Sequence, residues 1–151
     1  MKKFVYSYAV LLLTVTLLCL TLASCGESNT KTLYVYNWGE YISDGSEGTV
    51  DVNAAFEKYY FEKYGTRINV NYSTYSSNED MYAKLSSGAS VYDVISPSDY
   101  MIQRMVAEDM LLPLDLSRIP NYAFISDEFK GENVYYEDDS DNVYSVPYFT
   151  V

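Results

Sequence analysis

No histidine occurs among the 151 residues of this chain. That removes imidazole acid–base catalysis, Ser-His-Asp triads and His-ligated zinc. Chemistry is left to carboxylates, lysines and 18 tyrosines. So many phenols raise iron as a ligand, but free tyrosine titrates near about pH 10, so tyrosinate ligands need a metal or a basic neighbour to stabilise them. Glu137-Asp138-Asp139-Ser140-Asp141-Asn142 offers oxygens of the kind calcium takes. It lacks the spaced ligands, glycine and distal glutamate of an EF-hand loop and reads as a solvated turn. Trp38-Gly39-Glu40-Tyr41 sets aromatic faces on both sides of a carboxylate, and Ser98-Asp99-Tyr100 sets hydroxyls around another. Taken alone, Trp38 is more readily a core residue than a ligand face. Glu40 is then a solvated acid and Asp99 a helix cap.

These peptides belong to a chain with an export signal at its start. Lys2 and Lys3 precede an apolar stretch from Ala9 to Leu22, and Leu22-Ala23-Ser24-Cys25 follows. A basic head, an apolar middle and small residues make a cleavable signal over residues 1–24. A spanning helix is the competing reading, since the run is almost long enough to cross a bilayer. The Leu-Ala-Ser-Cys ending resembles the lipobox of bacterial lipoproteins, in which the cysteine is acylated and becomes the new N-terminus. Cys25 is then the lipid carrier, and residues 25–31 form the anchor and a polar tether. Cys19 leaves with the signal, so the mature chain has no second thiol for a disulfide, nor a free one for nucleophilic catalysis. Loss of Lys2 and Lys3 moves the net charge from −11 to −13. Such a chain is ill suited to nucleic acid and weakly favours cations. Its remaining 127 residues suit one domain at most.

Beyond the tether, the pattern alternates. Thr32 to Trp38 is rich in β-branched and aromatic residues and predicts a strand. Val52, Ala55, Phe56, Tyr59, Tyr60 and Tyr64 recur at helical spacing, which predicts a helix packed through these rings. Asp51 would cap its start, Lys63 suits its last turn, and Gly65 would end it. Arg67 to Tyr72 alternates as a second strand. Asn78 to Leu85 is a short helix with Met81, Tyr82 and Leu85 on one side. Val91 to Ile95 is a third strand. Tyr100 to Met110 is a third helix with Met101 and Met105 inward. Val143 to Val151 reads as a fourth strand. Such an order implies parallel strands, right-handed crossovers and helices on both faces. Ligands of such sheets sit beyond the carboxyl ends of the strands, which here places Asn37 to Tyr41 and Ser96 to Tyr100 on one rim.

Those two rim peptides carry a resemblance. Leu33-Tyr34-Val35-Tyr36-Asn37-Trp38-Gly39-Glu40-Tyr41 resembles the opening strand and loop of bacterial polyamine-binding proteins, the solute receptors of spermidine/putrescine ABC importers. Tyr92-Asp93-Val94-Ile95-Ser96-Pro97-Ser98-Asp99-Tyr100 is similar to their third strand and site loop. Weaker matches lie at Tyr72 to Tyr75, at Asn78 to Leu85 and at Tyr144 to Tyr148. The resemblance runs from about Leu33 to Tyr148.

The resemblance implies a two-lobed type II periplasmic-binding-protein fold of the α/β class. Residues 32–151 would supply the N-terminal part of its first lobe, in a chain truncated at Val151. It implies ligand contacts at Trp38, Glu40, Tyr41, Ser98 and Tyr100, a polyamine ligand, and a membrane-embedded ABC permease as partner. It implies no cofactor, metal or enzymatic activity, and a place on the outer face of the cell membrane or in the periplasm. A polyamine is a methylene chain bearing ammonium groups. Aromatic faces suit both parts, and a carboxylate must pair a buried ammonium. Where the family has a serine or threonine between tryptophan and the acid, this chain has Gly39, which leaves the choice of polyamine open. Two rivals remain at this level: a receptor of the same fold for another solute such as ferric iron, and an acidic surface lipoprotein with a purely binding role.

Overall fold

The computed structural model describes residues 30–130 and 142–148. The expected export signal, Cys25 and the acidic run at 133–140 lie outside them. The chain divides into two units, Met1–Thr30 and Lys31–Val151; everything below concerns the second.

Among the described residues, three parallel strands form a sheet in the order β2-β1-β3. They are β1 (Lys31–Trp38), β2 (Ile68–Tyr75) and β3 (Val94–Ile95). Three α-helices alternate with them: α1 (Val52–Tyr64), α2 (Asn78–Ser86) and α3 (Asp99–Ala107). The expected α/β alternation is therefore present. Crossovers of the usual right hand, from β1 to β2 and from β2 back across to β3, would put α1 and α2 on opposite faces. β1 pairs with β2 along its whole length, from Lys31 opposite Ile68 to Trp38 opposite Tyr75. β1 also pairs with β3 at Val35–Val94 and Tyr36–Ile95.

Local signals set the helix ends. The Asp51 side chain accepts from the Ala54 N–H at 2.9 Å, and Gly65 closes α1 at φ 66°. Glycine enters that left-handed region without a Cβ penalty. Ser77 caps α2 by accepting from the Asp80 N–H at 3.0 Å.

The core lies on one face of the sheet. Tyr36 and Tyr75 meet Met81 of α2 and Met101 and Met105 of α3, and all five are buried. Tyr82, Leu85, Tyr92 and Ile95 pack around them. Methionine suits such a core because its unbranched chain fills the irregular gaps left between tyrosine rings.

Four expectations need correction. The tether ends one residue early, because Lys31 already belongs to β1, its N–H bonded to the Arg67 carbonyl at 3.0 Å. The third strand is shorter than Val91–Ile95, since Val91 is 84% exposed and pairing starts only at Val94. Asp93 clamps that start: its Oδ2 accepts from the Tyr34 N–H at 2.8 Å, and its own N–H donates to the Tyr34 carbonyl at 2.9 Å. The rings of α1 form the helix but do not enter the core. No residue of α1 is buried; Phe56, Tyr60 and Tyr64 pack on one another along the helix, with centroids 5.9 and 4.7 Å apart. Finally, residues 142–148 are irregular rather than a fourth strand, although the Leu114 N–H reaches the Val143 carbonyl at 2.6 Å; residues 149–151 lie outside the described part.

Candidate functional site

The pairing of β1 with β3 brings the two rim peptides together as expected. The Ser96 N–H bonds to the Tyr36 carbonyl at 3.2 Å, just before each strand gives way to its site loop.

β1 ends in an aromatic chain. Trp38 is half-buried, with the Tyr75 centroid at 4.9 Å and that of Tyr41 at 6.0 Å. Tyr75 continues edge-on to Tyr36 at 5.0 Å, and Tyr36 stacks on Tyr92 at 4.5 Å with the planes 8° apart. At the other end, the Tyr148 hydroxyl donates to the Tyr41 carbonyl at 2.5 Å. Tyr75 also ties the two rim peptides together, because its hydroxyl donates to the Ser96 carbonyl at 2.5 Å. Burial pushes that phenol above its ordinary value, which keeps it protonated as a donor.

Between Trp38 and Tyr41 the chain turns through Gly39 and Glu40. Glu40 holds φ at 60°, a left-handed conformation uncommon outside glycine. Its side chain is exposed. A Cβ at Gly39 would meet nothing within 4 Å.

Ser98 and Tyr100 are placed by a residue that sequence reasoning passed over. Asn78, 4% exposed, donates from Nδ2 to Ser98 Oγ at 3.0 Å and to the Tyr100 hydroxyl at 2.8 Å. Its Oδ1 accepts from the Ser98 N–H at 3.2 Å. That backbone donor fixes which way the amide points. The Tyr100 hydroxyl then donates to Glu79 Oε1 at 3.1 Å. Ser98 occupies the cap position of α3 but spends its hydroxyl on Asn78, while the Asp99 carboxylate accepts from the Tyr100 N–H at 2.7 Å. The expectation of Asp99 as a helix cap is not met, because the cap position belongs to Ser98, no side chain caps the helix, and Asp99 is itself the first helical residue.

A cleft of about 720 Å³ opens at the carboxyl ends of β1 and β2. Trp38, Gly39, Tyr36 and Tyr75 line it, with Ser76 from the turn after β2 and Asp80 from the first turn of α2. Of the five residues expected at a ligand, only Trp38 is on its wall. Tyr41 stands behind Trp38, Glu40 on the exposed turn beside it, and Ser98 and Tyr100 towards β3. Asp80, Tyr75 and Asn78 were missed. Tyr75 could have been found from its place at the end of β2; Asn78 gave no local signal beyond following a capping serine. Among the described residues no group of three or more Cys, Asp or Glu is arranged to hold a metal.

No family model matches the chain. The spermidine/putrescine-binding periplasmic protein of Salmonella typhimurium is 37% identical over 134 residues, covering 87% of this chain and 33% of that protein. A putrescine/cadaverine-binding protein of Pseudomonas aeruginosa is 36% identical over 118 residues, covering 77% of this chain and 28% of that one. Among solved structures, the spermidine/putrescine ABC transporter substrate-binding protein of Streptococcus pneumoniae superposes with a TM-score of 0.52 at 39% identity, over 66% of this chain and 27% of that one. The chain thus spans about a third of the length of the curated relatives it matches. In sequence and in fold it is a relative of the bacterial spermidine/putrescine-binding proteins.

Proposed function

We propose that this chain carries part of the first lobe of an exported polyamine receptor that passes putrescine or spermidine to an ABC permease. The observation that carries the reading is the aromatic-walled cleft at the carboxyl ends of parallel strands, with Trp38 on its wall. It is the kind of place where α/β sheets hold ligands. Trp38 and Tyr41 supply faces for methylenes and ammonium groups, and Glu40 a carboxylate for one ammonium. The left-handed turn at Glu40 supports a binding role, since backbone strain of this kind collects at ligand sites. Ser98 Oγ and the Tyr100 hydroxyl supply oxygens on the β3 side. Residues 1–24 act as the export signal, and Cys25 carries the lipid that holds the receptor at the outer face of the membrane. The receptor binds and releases its solute without chemical change, and needs neither cofactor nor metal.

Calorimetric titration of the full-length receptor with putrescine, spermidine and ferric citrate tests the solute. Saturable heat with the amines and none with iron is expected; the reverse would replace polyamine by iron. Fatty-acid labelling tests the anchor, and equal labelling of the wild type and Cys25→Ser would rule it out.

A further inference from the structure

The cleft contains an acid to which the polyamine reading assigns nothing. Asp80 lies in the first turn of α2 and is the only formally charged residue among the described lining. Its carboxylate is not needed to cap the helix, because the Ser77 hydroxyl does that. It accepts one neutral hydrogen bond, from Ser76 Oγ at 3.1 Å. No lysine or arginine among the described residues forms an ion pair with it; the three ion pairs lie at Lys58–Glu62, Arg104–Glu108 and Lys130–Asp127.

The nearest cation in sequence on that helix, Lys84, is committed elsewhere. Its ammonium donates to the Tyr92 hydroxyl at 2.7 Å and sits 4.5 Å from the Tyr36 centroid. This has two consequences for a ligand. The aromatic chain already attracts an alkylammonium, so the ring chemistry suits one. The Tyr36 ring, however, is taken, and a second ammonium brought to it would be repelled by the first. What remains open in the cleft is the Trp38–Tyr75 wall, with Asp80 beside it. The positive end of α2 would oppose a cation there, but Glu79 and Asp80 both lie in its first turn and offset it.

We infer that Asp80 is a second cation-recognising carboxylate of the receptor, taking one ammonium of a polyamine whose adjoining methylenes lie on Trp38 and Tyr75. The ligand then runs from the Trp38–Tyr75 wall to the first turn of α2. This inference rests on the polyamine reading and adds a residue and a direction to it.

Trp38 is the chain's single tryptophan, so its fluorescence reports the cleft directly. The protein and its Asp80→Asn, Asp80→Ser and Asp80→Glu variants are titrated with putrescine, spermidine and the uncharged 1,4-butanediol. Both amines should change the wild-type fluorescence at a lower concentration than the diol. Asp80→Asn and Asp80→Ser should raise the half-saturating amine concentration about two- to fivefold, as expected for one solvated ion pair, and Asp80→Glu should restore most of the loss. Using two neutral variants keeps a folding defect in either from deciding the result. Unchanged amine affinity in a folded neutral variant would overturn the role of Asp80 and leave the polyamine reading standing. A wild-type protein that answers neither amine would overturn both.

Discussion

Asn78→Ala tests whether the β3 side of the site is pinned from α2. The side chain makes three hydrogen bonds: to Ser98 Oγ, to the Tyr100 hydroxyl and from the Ser98 N–H. A hydrogen bond contributes about 0.5–1.5 kcal/mol net, and a buried group left without its partner costs more. Tyr100 is 52% exposed, so its hydroxyl recovers most of its loss from water. Ser98 is half-buried, and its N–H gives up its side-chain acceptor. The sum is about 2–3 kcal/mol, a large part of the roughly 5–15 kcal/mol that holds a domain together. Urea unfolding followed by Trp38 fluorescence should show the midpoint falling by about 0.7–3 M, for a slope of about 1–3 kcal/mol per M. Ser98→Ala alone should cost under about 1 kcal/mol. The double variant should cost less than the two singles added, because both delete the same bond. An Asn78→Ala loss below about 0.5 kcal/mol, or strict additivity with Ser98→Ala, would refute the pin.

Three further outcomes follow from the same geometry. Gly39→Thr should leave stability within about 0.5 kcal/mol, since its Cβ meets nothing within 4 Å, and should tighten amine binding about two- to tenfold by adding an acceptor, read by Trp38 fluorescence. Glu40 at φ 60° should accept glycine without loss of stability, whereas Glu40→Val should lower the urea midpoint by an amount corresponding to about 1–2 kcal/mol. The Tyr82 hydroxyl and then the Arg104 guanidinium hold the Glu108 carboxyl below its ordinary value of 4.5. Its contribution is therefore present above the unfolded-state value and is lost as pH falls through the lower folded one, so Glu108→Gln should show a smaller drop in urea midpoint than wild type on acidification from about pH 6 to about pH 3.

How much of this was legible in the sequence depended on how far apart the interacting residues lie. Asp51 and Gly65 bound α1 by contacts within one helical turn, and both were readable. Met81, Met101 and Met105 face the core because helical period alone selects them once the sheet is assumed. The rings of α1 show the limit of that reasoning: periodicity shows that Phe56, Tyr60 and Tyr64 share a face, but not what covers it, and here they lean on one another. Asn78 was invisible for a different reason. Its partners are 20 and 22 residues away, and only the crossover from β2 through α2 to β3 brings them within reach. Trp38 read alone favoured the core, and the structure finds it half in the core and half on the cleft wall.

The parts of the site differ in how firmly they are held before a ligand arrives. Trp38 is fixed between Tyr75 and Tyr41, Tyr75 is anchored on the Ser96 carbonyl, and Ser98 and Tyr100 are fixed by Asn78. The proposed methylene wall and hydroxyl side are therefore set in advance, and little ordering cost would remain there for a ligand to meet. The carboxylates differ, since Glu40 and Asp80 are both exposed. In an open cleft each gains roughly 0–1 kcal/mol from an ammonium, because water screens the pair. The same pair gains considerably more when water is excluded around it, with couplings of about 1.5–7 kcal/mol known for close interfacial charges. Discrimination of a polyamine from an uncharged chain of the same length must then come mainly from whatever covers Glu40 and Asp80 once the ligand is in place. Trp38 and Tyr75 alone would hold a diol and a diamine with much less distinction.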